Sequence, residues 1–224
     1  LETAARIVED VRTGGEAALR AQAEKFDRVS GHAIRVPVTH IEDAVAALTP
    51  EIRTALEEAI RRVRQASAAQ VPDTRVTQIR DGALITQRWQ PVNRVGVYIP
   101  GGKAVYPSSV IMNVVPAQVA GVQQIALASP PQHDQDGRIH PVILAAAGLL
   151  GVTEVYAMGG AGAIGAFAHG VADLGLDPVD VVSGPGNNYV ASAKRAVAGV
   201  VGTDSEAGAT EILVVADGTA DARL

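Results

Sequence analysis

Apolar positions change their period near residue 94. Before it they recur three and four apart: Ile7, Val8 and Val11, then Ala18, Leu19 and Ala23 beyond Gly14-Gly15. That spacing lines one face of a helix and the glycine pair interrupts it, which predicts two short helices ending near Phe26. Thr39-x-x-Glu42 has the form of a capping box, and Thr49-Pro50-Glu51 that of an N-cap followed by proline at the first helical position. The second signal opens a helix of roughly 18 residues, with Ile52, Leu56, Ile60 and Val63 inward and Arg53, Glu57, Arg61 and Arg64 outward. From Val76 to Trp89 the pattern alternates around Asp81-Gly82, which predicts two strands joined by a turn.

From Arg94 onward one unit repeats four times. Strands are predicted at 95–99, 125–128, 155–158 and 179–182, each followed by a helix, at 108–120, 140–150, 161–169 and 187–200. A fifth apolar run, 212–216, reads as another strand. Strands that are apolar on both faces, alternating with helices, mean a parallel sheet covered on both sides. The fold class is therefore α/β, a Rossmann-like parallel sheet with helices on both faces, preceded by a helical part of a second, incomplete α/β domain. The expected division is 1–93, 94–205 and 206–224, the last segment returning as a strand to the first domain.

Composition narrows this picture. The chain has 224 residues, 47% of them hydrophobic and only 3% aromatic, so the core is built from Ala, Val, Ile and Leu. The balance of 19 basic and 24 acidic residues gives a net charge of −5. That leaves no broad basic field for nucleic acid or an anionic membrane. The absence of Cys excludes disulfides, thiolate metal sites and a Cys nucleophile. No apolar run reaches the ~20 residues a bilayer span needs and no leader pattern opens the chain, which predicts a cytoplasmic protein. Because residue 1 is Leu and the chain stops soon after a strand-like run, the sequence is expected to be part of a longer protein.

In such sheets ligands bind at the carboxyl ends of the strands. There the chain places Tyr98-Ile99-Pro100-Gly101-Gly102, Ser129-Pro130-Pro131, Gly159-Gly160 and Ser183-Gly184-Pro185-Gly186-Asn187. Gly160-Ala161-Gly162-Ala163-Ile164-Gly165 satisfies G-x-G-x-x-G after a strand and at the start of a helix. It reads either as a phosphate-binding turn or as small residues that let a helix pack closely. Asp180, at about the spacing of the ribose-binding acid, falls at the start of its strand and counts against the first reading. Asn187 is placed to cap its helix and equally to face a ligand. Tyr98 reads as a core residue or a cofactor contact. The five His show no metal spacing and read as surface or capping residues; Asp204, Glu206 and Glu211 read as a solvated acidic loop. No catalytic triad or metal cluster is legible.

These blocks, together with Tyr106-Pro107-Ser108-Ser109-Val110, Asn113-Val114-Val115-Pro116-Ala117 and Glu206-Ala207-Gly208, resemble the histidinol dehydrogenase family along essentially the whole chain. The resemblance implies NAD-dependent oxidation of L-histidinol through the aldehyde to L-histidine, with zinc in each site, in a cytoplasmic homodimer. It implies that Tyr98, Asn187 and position 162 contact NAD and that Thr210 contacts substrate. The chain departs from the family pattern at Gly162 (Gln in the family), Gly165 (Ala), Asn188 (Ile), Thr203 (apolar) and Ala209 (Pro). The family's zinc ligands and its Glu-His acid/base pair align beyond residue 224, so no catalytic or metal-binding residue is expected in this chain, and an inactive fragment is expected. A non-catalytic nucleotide-binding module built on the glycine turn is the competing reading.

Overall fold

A computed structural model describes residues 2–101, 105–205 and 213–220. The first helix, α1 (Glu2–Gln22), runs through a kink at Gly15, whose φ of 53° and ψ of −132° lie outside the helical region. The predicted helix pair is thus two helical segments joined end to end. A π-helical turn, Ala23–Asp27, closes α1, and Arg28 leaves it in the left-handed region. Helix α2 (Val38–Ala46) starts at Pro37, so Thr39 lies inside it and the expected capping box does not form. Helix α3 (Pro50–Ala68) begins as predicted, with the Thr49 hydroxyl accepting the Ile52 N–H. Its inward stripe holds at Leu56, Ile60 and Val63, whereas Ile52 is exposed and Arg53 folds back to donate to the Val45 carbonyl at 2.9 Å.

Strands β1 (Arg75–Arg80) and β2 (Ala83–Gln87) form the predicted antiparallel hairpin. Val76, Leu84 and Ile85 remain about 60% exposed on it. The large sheet follows with β3 (Arg94–Tyr98), α4 (Pro107–Ala120), β4 (Gln124–Ser129), α5 (Pro141–Leu149), β5 (Glu154–Ala157), α6 (Gly160–His169), β6 (Val181–Ser183), α7 (Asn188–Ala196) and β7 (Gly202–Thr203). Every pairing is parallel and the spatial order is β5-β4-β3-β6-β7. The chain winds outward from β3 in one direction, then returns to β3's other side with β6, so the switch point lies between β3 and β6. The fifth strand of the sheet is β7; of the expected strand at 212–216, Ile212 lies outside the described residues and 213–216 form no strand, with Leu213, Val214 and Val215 at least 79% exposed.

Two apolar layers flank the sheet. On one face α6 and α7 pack under α1; on the other α4 and α5 lie under α3 and α2. Residues 34–36 cover the free edge of β5, where Val36 donates to the Val155 carbonyl and Ala157 to the Ile34 carbonyl. Gly96 shows how small residues set the layer spacing: a Cβ there would lie 2.6 Å from the Phe167 ring of α6.

Two charged clusters hold the amino ends of the strands. The Asp180 carboxylate accepts the backbone N–H groups of Asn93 and Arg94 at 2.8 and 2.9 Å. Buried Arg94 pairs with Glu154 and donates to the Gln124 carboxamide at 3.0 Å, while the Tyr156 hydroxyl donates to the same Glu154 at 2.8 Å. Burial first, then Glu154, pushes the Tyr156 phenol upward. Asp180 is therefore a strand clamp at the end of the sheet opposite the ligand-binding edge.

Candidate functional site

The carboxyl ends of β3, β4, β5 and β6 open into a cavity of about 400 Å³, the size range of small-molecule and cofactor sites. Its floor is Tyr98, Pro130, Met158, Gly159 and Gly160; its walls include Gln22, Asp27 and Asn187, and the exposed rings of Phe26 and Tyr189 lie at its margin. The cavity spans the β3/β6 switch point.

Tyr98 is a core residue that also lines the cavity. Its ring is buried, and its hydroxyl oxygen accepts the Gly160 N–H at 3.2 Å, bracing the first turn of α6. Burial, aided by Asp27, raises its pKa against the lowering effect of Gly160. Asn187 caps α7, its Oδ1 accepting the N–H groups of Tyr189 at 3.0 Å and Val190 at 3.2 Å. Its Nδ2 group has no hydrogen-bond partner among the described residues. The N-termini of α6 and α7 therefore meet at one cavity, and both favour an anion.

Gly162 lies beside this cavity, under the end of α1. It is buried in the first turn of α6, and the Gln22 side chain lies over it. Gly165 faces the backbone of α1, where a Cβ would lie 3.1 Å from the Val8 Cα. These two glycines let α1 approach α6, the packing alternative raised by the motif. Thr210 lies outside the described residues, as do Gly102, Glu206 and Glu211.

The turn between β6 and α7 is fixed from below. The buried Lys194 ammonium donates to the Gly184 carbonyl and to Asp204, both at 2.6 Å, and Asp204 in turn accepts the Gly184 N–H at 2.9 Å. Burial raises the Asp204 pKa, but Lys194 and the N–H groups of Gly184 and Ser205 outweigh it and hold the carboxyl below its ordinary range. Asp204 keeps part of its side chain in solvent, as expected of an acidic loop, and is at the same time a structural clamp. The Ser183 hydroxyl extends the network to Asn113 at 2.7 Å. Among the histidines, His140 caps α5 as expected, whereas His32 is buried and donates to the Ala157 carbonyl from Nε2 at 3.1 Å. Among the described residues no three His, Asp or Glu side chains form a metal-binding group.

Gln22 and Asp27 were missed in sequence, because nothing in the helical pattern indicates that the end of α1 folds over the sheet edge. Burial pushes the Asp27 carboxyl up to about 6. Unfolded Asp titrates near the ordinary value of about 3.9, so between roughly pH 4 and 6 the folded chain keeps a proton that the unfolded chain releases, and stability falls as pH rises through that window. His32 and His169, both held low by burial, act in the opposite sense just below 6.5. Comparison with Asp27→Asn isolates the carboxyl. The variant is expected to gain stability over wild type at pH 7 and not at pH 4.5, read from urea midpoints; equal differences at both pH values contradict the assignment.

A doubly wound parallel sheet with its cavity across the switch point defines a Rossmann-like α/β protein. The family model for histidinol dehydrogenase matches residues 1–224, and the chain belongs to that family. It is 66% identical over 223 residues to histidinol dehydrogenase of Leifsonia xyli subsp. xyli, covering 100% of this chain and 51% of the relative. It is 52% identical over 216 residues to the Corynebacterium glutamicum enzyme, covering 96% and 49%. The crystal structure of histidinol dehydrogenase from Elizabethkingia anophelis superposes with a TM-score of 0.88 at 34% identity, covering 98% of this chain and 50% of that one. The chain thus spans about half the length of the relatives it matches.

Proposed function

We propose that the chain forms the dinucleotide-binding part of a cytoplasmic, homodimeric histidinol dehydrogenase, with NAD lying across the β3/β6 switch point and L-histidinol as the substrate of the whole enzyme. The observation that carries this reading is the cavity where Tyr98, Asn187 and the first turns of α6 and α7 converge. Two helix N-termini favour a pyrophosphate, Tyr98 and Asn187 each retain a donor, and Phe26 and Tyr189 offer aromatic surface for a base. The residues present fit NAD, which when bound supplies the hydride acceptor. Tyr98 then orients the cofactor through its protonated hydroxyl while holding α6 in place. Asn187 orients it from α7, and Thr210 is assigned to the substrate.

The described side chains do not fit zinc, so no step is assigned to the metal. The first domain is taken as 1–93 with 206–224, and the second as 94–205. Gly162 and Gly165 face α1, which supports the packing reading of those two glycines over a separate glycine-loop module, while Gly160 stays open at the cavity.

Calorimetric titration of the chain with NAD tests the reading. We expect saturable binding, weakened roughly tenfold by Tyr98→Phe if the hydroxyl donates one good hydrogen bond, and no NADH on adding L-histidinol and zinc. Absence of NAD binding rejects the site; NADH formation rejects the assignment of proton transfer and metal to residues other than these.

A further inference from the structure

Gln22 and position 162 share one volume. A Cβ on Gly162 would lie 2.9 Å from the Gln22 Cδ and 3.3 Å from its Nε2, so the carboxamide at the end of α1 occupies the space a side chain at 162 would take. Gln22 also lines the cavity beside Tyr98, Gly160 and Asn187. Its Nε2 is fully enclosed and has no hydrogen-bond partner. An amide donor left unpaired in this way loses its hydration without compensation, and such groups in native proteins call for an explanation. Packing against α6 does not supply one, since an apolar side chain of the same shape would fill the volume without that cost. The first turn of α6 presents backbone N–H groups to an anion, and position 162 has no side chain to add to them.

We propose that Gln22 supplies this side-chain donor: a turn about its terminal bond brings the Nε2 hydrogens to a pyrophosphate oxygen of the dinucleotide lying at the first turn of α6. The proposal rests on the nucleotide reading of the cavity given above. It makes α1 a part of the binding site as well as a cover for the sheet, and it assigns to Gln22 the orientation of the ligand rather than any chemical step.

Four variants of the chain, Gln22→Ala among them as a reference, test it by NAD titration and thermal melting. Gln22→Met keeps the shape and removes the donor. It is expected to lose about tenfold in NAD affinity while melting at or above the wild-type temperature, because the unpaired amide is gone. Gln22→Glu places a carboxylate against the pyrophosphate and is expected to lose more, the excess shrinking as salt screens the repulsion. In Gln22→Ala/Gly162→Gln the vacated volume receives a carboxamide from α6, and affinity is expected to return to within about threefold of wild type. A Met variant that binds NAD as wild type does overturns the proposal, as does one whose melting temperature falls in step with its affinity, since that is the behaviour of a packing residue. A double variant as weak as Gln22→Ala alone also overturns it. Wild-type chain that binds no NAD rejects the nucleotide reading itself, a result distinct from all of these.

Discussion

Alanine at position 184 is expected to lower the melting temperature of the chain by roughly 10 °C or more. Gly184 has φ of 124°, and a Cβ there would overlap the Tyr98 carbonyl oxygen while lying 2.9 Å from its carbon and 3.1 Å from the Tyr98 nitrogen. Those atoms are the backbone of β3, so relief requires moving one central strand away from another. Strain at a positive φ costs about 1–3 kcal/mol and overpacking typically about 1–3 kcal/mol more. The displacement also pulls on the Gly184 N–H and carbonyl, which Asp204 and Lys194 hold. Gly218→Ala, where nothing lies within 4 Å, is the control and is expected to melt with wild type. Differential scanning calorimetry of the two variants decides the matter; a Gly184→Ala midpoint within 2 °C or so of the control means that the strands separate freely at the switch point.

The second large effect belongs to the other end of the sheet. Arg94→Ala is expected to cost about 3–5 kcal/mol, the usual loss when one partner of a buried ion pair is removed. The Arg94 and Glu154 side chains are only 11% and 21% exposed, and without the guanidinium Glu154 retains just the Tyr156 hydroxyl as partner. Arg94→Met/Glu154→Leu is expected to recover most of the loss, because an apolar pair of similar volume needs no compensation for lost hydration. Urea denaturation compares the two. NAD affinity is expected to stay at the wild-type value in the double variant, since this cluster lies at the amino ends of the strands. A single variant as stable as wild type shows that water reaches the site and that the pair is in effect a surface one.

Both positions bear on how much could be seen from the residues alone. The repeat after Arg94 is legible because strands buried on both faces carry continuous apolar runs, and because Gly, Pro and Asn mark each strand-to-helix turn. That Tyr98 and Asn187 line the cavity is legible from their place at strand ends, a topological argument that needs no side-chain detail. The errors share a cause. Thr39 loses its capping role to Pro37, which already sets the backbone for helix entry, and the apolar run at 213–216 has the composition of a strand but forms no ladder among the described residues. Gly202–Thr203 was missed because two residues carry no period. The G-x-G-x-x-G pattern was ambiguous in principle: a glycine that admits a phosphate and one that admits a neighbouring helix look the same until the neighbour is known. Here Val8 and Gln22 are the neighbours of Gly165 and Gly162. The Lys194–Asp204 clamp was invisible, since ten residues and a turn separate its partners.

The β1–β2 hairpin has a consequence of its own. Its strands pair with each other, yet every residue of β1 is exposed and no other element packs extensively against it. Two strands alone are marginally stable in water. The hairpin and the large sheet are therefore not expected to unfold as one cooperative unit: in native-state hydrogen exchange the hairpin's amide protons are expected to exchange through a local opening of low free energy, and those of β3 and β4 only on global unfolding.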